Sequence, residues 1–341
     1  MVGQQAKRVL LFGATGSIGR ASARALDEAG HRVTCFVRPH HRGSGTVGLP
    51  STVTVRFGDV RDPASIARDG FAGEPFDCVV SCIASRTGVP DDAWAIDYQA
   101  NSDILAAARS SGARQMILVS AICVQKPRLA FQRAKLAFED ELVRSGLTYS
   151  IVRPTAFFKS LSSQIDRVRA GKPYLMFGDG RQTACKPISD ADLGRFIAEC
   201  IDDPAKHDAI LPIGGRGPAL TPLDMGTMLF ELTGRAPRFR RVPSALLDVA
   251  IGVMSLAGKF SRSVAAKAEY ARIGRYYATE SMLVLDHGQY SPEATPETGS
   301  DTLRDHYRRS LGIAVPAGPD TLGPEAELPR CSTESIGQVE P

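Results

Sequence analysis

The stretch Arg8-Val9-Leu10-Leu11-Phe12-Gly13-Ala14-Thr15-Gly16-Ser17-Ile18-Gly19-Arg20 decides the fold. Val9 to Phe12 is an apolar run of the length that a strand buried on both faces requires. Gly13, Gly16 and Gly19 then recur at every third place, and helical composition follows. The first glycine lets the chain reverse. The second lets backbone approach a phosphate with no Cβ in the way, and the third lets the helix lie close to the strand. Free N–H groups at the start of that helix would face a pyrophosphate. Gly13, Thr15, Gly16, Ser17, Ile18 and Gly19 are therefore candidate cofactor-binding residues. The spacing is Gly-x-x-Gly-x-x-Gly, not the Gly-x-Gly-x-x-Gly of the dinucleotide fingerprint, so a glycine turn without a ligand is the competing reading.

Working outward, the pattern predicts a helix over 17–29 closed by Gly30, then strands at 32–37, 53–57, 77–83, 115–120 and 149–152. Helices are expected at 94–111 and 129–144. Strands alternating with helices give an α/β protein with a doubly wound parallel sheet, whose ligands sit at the carboxyl ends of the strands. The second strand ends in Arg38, with His40, His41 and Arg42 behind it. A carboxylate there would bind the 2′-hydroxyl of NAD. A guanidinium instead suits a 2′-phosphate, so Arg38 points to NADPH. Beyond residue 154 the pattern changes. Helices at 191–200 and 222–233 and a strand at 209–213 suggest a smaller lobe, with a helical stretch at 242–277 and a further helix at 301–311. The expected organisation is a cofactor domain over 1–154, a substrate lobe with partly shared elements over 155–313, and a disordered tail over 314–341 rich in Pro, Gly, Ser and Glu.

Composition narrows the function. The chain has 341 residues and a net charge of +4. From Ala314 on, five acidic residues stand against Arg330, so the body is near +8. That suits an anionic ligand but is too dilute for nucleic acid. Seven cysteines with no Cys-x-x-Cys imply reduced thiols in a cytoplasmic setting and no metal centre. The first strand begins within eight residues of the N-terminus, so no signal or transit peptide is expected. The apolar stretch 245–257 contains Asp248 and falls short of the ~20 residues of a membrane span, although it could touch a membrane peripherally.

The glycine spacing and element order resemble the extended and atypical short-chain dehydrogenase/reductases. The resemblance implies that Asp59 and Val60 meet the adenine, and that Ala84, Ser120 and Pro154 border the cofactor. Those reductases use Tyr-x-x-x-Lys on one helix face. Here the pair reads Phe131-Gln132-Arg133-Ala134-Lys135. Lys135 remains, to hold the nicotinamide ribose and relay a proton, but phenylalanine cannot act as a general acid. The places where the family serine falls hold Ala121 and Ile122, then Cys123. Reduction of a carbon–carbon double bond reconciles a cofactor site with a missing tyrosine, because charge spreads over a conjugated system and no alkoxide forms.

Longer blocks sharpen the resemblance. Phe131 to Glu139, Ile151 to Leu161, Phe177 to Gly180, Cys185 to Ser189, Leu211 to Gly215 and above all Arg272-Ile273-Gly274-Arg275-Tyr276-Tyr277-Ala278-Thr279-Glu280-Ser281-Met282-Leu283-Val284 resemble the NADPH-dependent divinyl chlorophyllide a 8-vinyl-reductases. The resemblance implies reduction of the 8-vinyl group of a magnesium tetrapyrrole to ethyl in chlorophyll or bacteriochlorophyll synthesis, with NADPH and without ferredoxin. Phe131, Phe157, Phe158 and Phe177 are then candidates to line the flat macrocycle. Lys159, Lys172 or Lys186 would meet its carboxylate, with Lys186 preferred for its place in a family-like block. Cys123 and Tyr149 are further candidates near the chemistry. None of the six histidines falls in these blocks, so no axial ligand to magnesium is named. The competing functions are a cofactor-binding sensor or assembly factor without turnover, a reductase of phenolic or quinone-like alkenes, and a sugar-nucleotide epimerase.

Overall fold

A computed structural model describes residues 5–39, 48–243, 245, 248, 251–254 and 261–315. His40, His41, Arg42, residues 316–341 of the expected tail and 246–247, 249–250 and 255–257 of the expected apolar stretch at 245–257 lie outside the described residues.

The sheet follows from the apolar runs. β1 (Arg8–Phe12), β2 (Arg32–Val37), β3 (Thr54–Phe57), β4 (Cys78–Ser81), β5 (Gln115–Val119) and β6 (Thr148–Pro154) run parallel. β1 is an interior strand, fully buried from Val9 to Phe12, and its side chains alternate between two cores. Val9 and Leu11 pack under the helix Ser17–Glu28 with Leu26, Leu193 and Ile197. Leu10 and Phe12 pack on the other face with Phe36, Phe71, Ile104 and Phe138. Each such side chain contributes roughly 1.5–3 kcal/mol on burial. β1 has β2 on one side and β4 on the other, so the strand order reverses beside it. A crevice at the carboxyl ends of β1 and β4 is the ligand position of such a sheet.

The helix expected at 94–111 forms in two parts, a π-helical turn Trp94–Ala100 and the α-helix Asn101–Ser110. The wider turn lets the Asn101 side-chain amide donate to the Ile96 and Asp97 carbonyl oxygens at 3.2 Å. Ser81 at the end of β4 donates to Asn101 Oδ1 at 2.6 Å, so the turn is pinned to the sheet. Such turns accompany functional sites, and Asp97 stands on this one.

The sheet does not end at β6. β8 (Ala209–Gly215) pairs parallel with β6, and β12 (Glu297–Thr298) pairs with β8. The helix Asp190–Glu199 lies on the helix Ser17–Glu28 so closely that a Cβ at Gly194 would sit 2.7 Å from the Ala21 carbonyl carbon. The remaining segments build a separate core. β7 (Tyr174–Phe177) pairs with β9 (Phe239–Val242), and the helices Pro222–Thr233, Arg262–Thr279 and Leu303–Leu311 surround it. A two-stranded ribbon, β10 (Val284–Asp286) with β11 (Gln289–Ser291), follows. Phe158, Tyr174, Leu229, Phe230, Tyr276 and Tyr307 fill this core. Among the described residues, no helix is long and apolar enough to cross a membrane.

Candidate active site

Three groups of residues meet at the carboxyl ends of β1, β4, β5 and β6. The first is the glycine turn. Gly13 has φ +85° and a Cβ there would stand 2.7 Å from the Cys82 carbonyl carbon, so both conformation and space demand glycine. A Cβ at Gly19 would collide with the Gly13 carbonyl oxygen. Gly16 differs, being exposed, with its nearest prospective neighbour at 3.5 Å. It caps the helix Ser17–Glu28 without a side-chain hydrogen bond, leaving first-turn N–H groups to an external acceptor. Thr15, Ser17 and Ile18 flank it, each partly accessible. This open cradle with free donors fits a pyrophosphate. Arg38 follows β2, and no hydrogen bond or ion pair holds its side chain among the described residues. Asp59 and Val60 follow β3, with Asp59 exposed, and Ala84 is exposed beyond β4.

The second group is buried and charged. Lys135, on the helix Ala130–Val143, places Nζ 3.0 Å from Asp97 Oδ1, and their side chains are 9% and 0% exposed. The Ser85 backbone N–H donates to the same oxygen at 3.3 Å. Asp97 Oδ2 is buried without a partner, an acceptor left for a group not part of the chain. One turn on from Lys135, the Glu139 carboxylate accepts from Ser120 Oγ after β5 and from Nε and Nη2 of the Arg153 guanidinium. This places Ser120 in a network tying β5, the helix and β6 together. Phe131 packs in the lobe core, close to Ile273 and Gly88.

The third group is a cavity of about 480 Å³ between the sheet and the lobe. Ala121 to Cys123 supply its sheet side after β5, and Pro154 to Phe157 after β6. Tyr174, Cys185, Met225, Tyr277 and Met282 supply the lobe side. Its walls are mostly apolar. Burial pushes the Tyr174 phenol and the Cys185 thiol each up to about 12. The Cys123 thiol is likewise raised by burial. Glu280 at the rim behaves oppositely. Burial alone would raise it, but hydrogen bonds from Lys126 and Tyr290 and the Arg128 charge hold it below the usual range. A larger hollow near Arg61, Asp92 and Tyr270 lies off the cofactor turn.

The structure separates residues that the sequence groups. Of the candidate aromatic residues, Phe157 lines the cavity. Phe158 is a correction, because it is 3% exposed and its ring lies 5.4 Å from that of His306 inside the lobe core. Phe177 sits on β7, opposite Val242, and does not line the cavity. Phe131 is also absent from its walls. Lys186 is a second correction. Its Nζ pairs with Glu297 at 2.5 Å and donates to the Thr295 carbonyl oxygen at 3.3 Å, so this buried cation is satisfied within the protein. Lys159 and Lys172 remain exposed. Tyr149 lies at the start of β6, at the opposite end of the sheet from the cavity. Sequence reasoning missed Asp97, whose partner is 38 places away, and the Glu139–Arg153 pair. An acid in the middle of an otherwise apolar helical pattern, as at Asp97, was the available signal. Among the described residues, no cluster of His, Cys, Asp or Glu is arranged to hold a metal.

Comparison with known proteins gives three findings. A family model described as NAD(P)H-binding matches residues 13–204. The divinyl chlorophyllide a 8-vinyl-reductase of Oryza sativa subsp. indica is 50% identical over 316 residues, which cover 89% of this chain and 78% of that protein. The Arabidopsis thaliana protein of the same name is 47% identical over 321 residues, with 89% and 76% covered. Among solved structures, an NADPH-dependent quinone oxidoreductase of Escherichia coli, complexed with NADPH, aligns with a TM-score of 0.62 at 16% identity over 89% of this chain and 99% of its own. At that identity the likeness is one of fold.

Proposed function

The chain belongs to the divinyl chlorophyllide a 8-vinyl-reductase family, and from that premise we propose that it reduces the 8-vinyl group of divinyl chlorophyllide a, or of divinyl protochlorophyllide, to ethyl with NADPH. It is an oxidoreductase acting on a carbon–carbon double bond. The single observation that carries the reading is the 50% identity extending over 89% of the chain, which takes in the lobe as well as the cofactor half.

NADPH, bound at the cradle, supplies the hydride. The chain's residues would do the rest. N–H groups of Ser17, Ile18 and Gly19, with Thr15 beside Gly13 and Gly16, would hold the pyrophosphate. Arg38 would take the 2′-phosphate, and Asp59 and Val60 the adenine. Ala84, Ser120 and Pro154 would border the nicotinamide half. Lys135 would donate to the ribose hydroxyls while Asp97 fixes its ammonium, and the bare Asp97 Oδ2 would accept a ribose hydroxyl. Phe131 would leave the helix face apolar, consistent with an acceptor that never becomes an alkoxide. The cavity would take the macrocycle edge carrying the vinyl group, with Phe157 against its face. Lys159 or Lys172 would meet the propionate, since both are exposed whereas Lys186 is paired. Rate would come chiefly from positioning carbon against carbon in a water-poor pocket.

The wider setting is also ours to propose. No ferredoxin or nucleic acid takes part. The setting would be a reducing compartment such as the cytoplasm, as the unclustered cysteines of the sequence suggest, with any membrane contact peripheral.

The test is direct. Purified protein, NADPH and divinyl chlorophyllide a are mixed anaerobically without ferredoxin, and the Soret band and the chromatographic product are followed. A blue shift with a monovinyl product is expected. Intact NADPH binding without conversion would instead favour a non-catalytic sensor.

A further inference from the structure

Phe131 leaves the reaction without the proton donor that its position supplies in other reductases, and Lys135 is engaged by Asp97. A proton must nevertheless reach carbon. The cavity walls carry four phenols or thiols, on Cys123, Tyr174, Cys185 and Tyr277. Cys123, Tyr174 and Cys185 are 2%, 5% and 6% exposed, so a ligand meets little of them. Tyr277 is 45% exposed while lining the cavity. Glu280 also lines it, but it is held as a carboxylate by Lys126 and Arg128.

The lobe helix is built to present this phenol. Its neighbour Tyr276 is 4% exposed and donates to the carbonyl oxygens of Cys123 and Lys126 at 2.9 and 3.2 Å, bolting the helix Arg262–Thr279 to the loop after β5. The two rings stand 5.7 Å apart and almost perpendicular, so Tyr277 is directed elsewhere than its buried neighbour. Tyr277 Oη lies 4.0 Å from Cys123 Sγ, just beyond the end of β5. The lobe thus brings a phenol to the cavity beside the end of β5.

We propose that Tyr277 is the general acid of the vinyl reduction, a catalytic residue delivered by the substrate lobe in place of the tyrosine absent at position 131. The proposal rests on the vinyl-reductase reading. Hydride from NADPH forms a C–H bond at one vinyl carbon and NADPH is oxidised to NADP⁺. The π pair moves onto the other vinyl carbon and the conjugated macrocycle. The Tyr277 O–H bond breaks and its proton forms the second C–H bond. The tyrosinate regains a proton from water. A phenol, whose ordinary pKa is about 10, is protonated at neutral pH before the reaction.

The experiment compares wild type with Tyr277→Phe, which keeps the ring and removes one oxygen. Divinyl chlorophyllide a and NADPH are supplied in H₂O and D₂O. A roughly 100-fold or larger fall in kcat is expected. KM for pigment and Kd for NADPH, the latter read by fluorescence titration, should stay within about threefold. Wild type should place one solvent deuterium in a single configuration on the new ethyl group, and the variant should give a mixture. Normal kcat and configuration in the variant would overturn the role of Tyr277 and leave the reductase reading intact. So would a loss confined to KM, which would make Tyr277 a wall residue. Wild type that binds NADPH but makes no monovinyl product would overturn the reductase reading, and this proposal with it.

Discussion

The glycine turn and the cavity lie at the same end of one sheet, yet they are built in opposite ways. The turn is a single run from Phe12 to Gly19, and its geometry is set by contacts within that run and with the end of β4. The cavity draws on segments from Ala121 to Met282, and no two of its walls are made by the same stretch. Local geometry can be written into residue types, since only glycine fits at Gly13 and Gly19. A wall assembled across 161 places can be written only into packing. The contrast implies that the turn should fail by single Cβ additions, and the cavity half by breaking the joints that hold distant segments together.

The largest effect is expected at such a joint. Lys135→Met leaves Asp97 buried and uncompensated, at a cost of about 3–5 kcal/mol. Urea unfolding should show that loss, and Lys135→Met/Asp97→Asn should recover part of it. Both variants should lose turnover through weakened ribose binding. A stable, active Lys135→Met would mean that this joint carries neither fold nor cofactor.

Within the turn, two glycines should separate fold from ligand. Gly19→Ala forces the helix off the strand and should cost roughly 1–3 kcal/mol, with NADPH binding lost as well. Gly16→Ala has open space around its Cβ, so its melting temperature should hold while NADPH affinity falls. If both variants behave alike in calorimetry and NADPH titration, the distinction between the two positions fails.

Arg38→Ala should raise KM for NADPH about tenfold or more, as loss of a charge-assisted contact would. KM for NADH should hardly change. Equal effects on both cofactors would remove Arg38 from the 2′-phosphate.

The smallest effect concerns the rim of the cavity. Glu280 joins the lobe helix to Lys126 and Arg128 of the loop after β5. Its pKa is depressed in the folded protein, so its stabilisation is present above the ordinary carboxylate pKa, roughly 4.3. That contribution is lost as pH falls through the lower folded value. Glu280→Gln should therefore melt earlier than wild type at pH 7, by an amount equivalent to roughly 1–2 kcal/mol. The gap should close below about pH 4. A gap independent of pH would point to packing instead of charge.

Much of this molecule is legible in its sequence. Val9 to Phe12 reads as a doubly buried strand, and it divides its side chains between the two cores. The helix expected at 222–233 forms with those bounds, since Thr221 and Asp224 cap it reciprocally and Gly234 ends it at φ +63°. The reading weakened where a residue's setting is chosen by partners far along the chain. Phe158 and Phe157 are adjacent and identical in type, yet one is core and the other cavity wall. Lys186 looks like a free cation until Glu297 arrives on β12, 111 places later.

The sequence by itself therefore determined the doubly wound sheet, the glycine cradle, the likeness to the vinyl reductases and the loss of tyrosine at position 131. Each of these is a matter of residue type at short spacing, where sterics and periodicity act on neighbours. Only the tertiary structure decided that β8 and β12 extend the sheet, that Asp97 receives Lys135, and that Tyr277 faces the cavity. Those outcomes depend on which buried charges find each other and which side chains the lobe leaves uncovered. They are settled by packing over the whole chain, because a buried charge or an apolar surface has its energy set by whatever comes to lie against it.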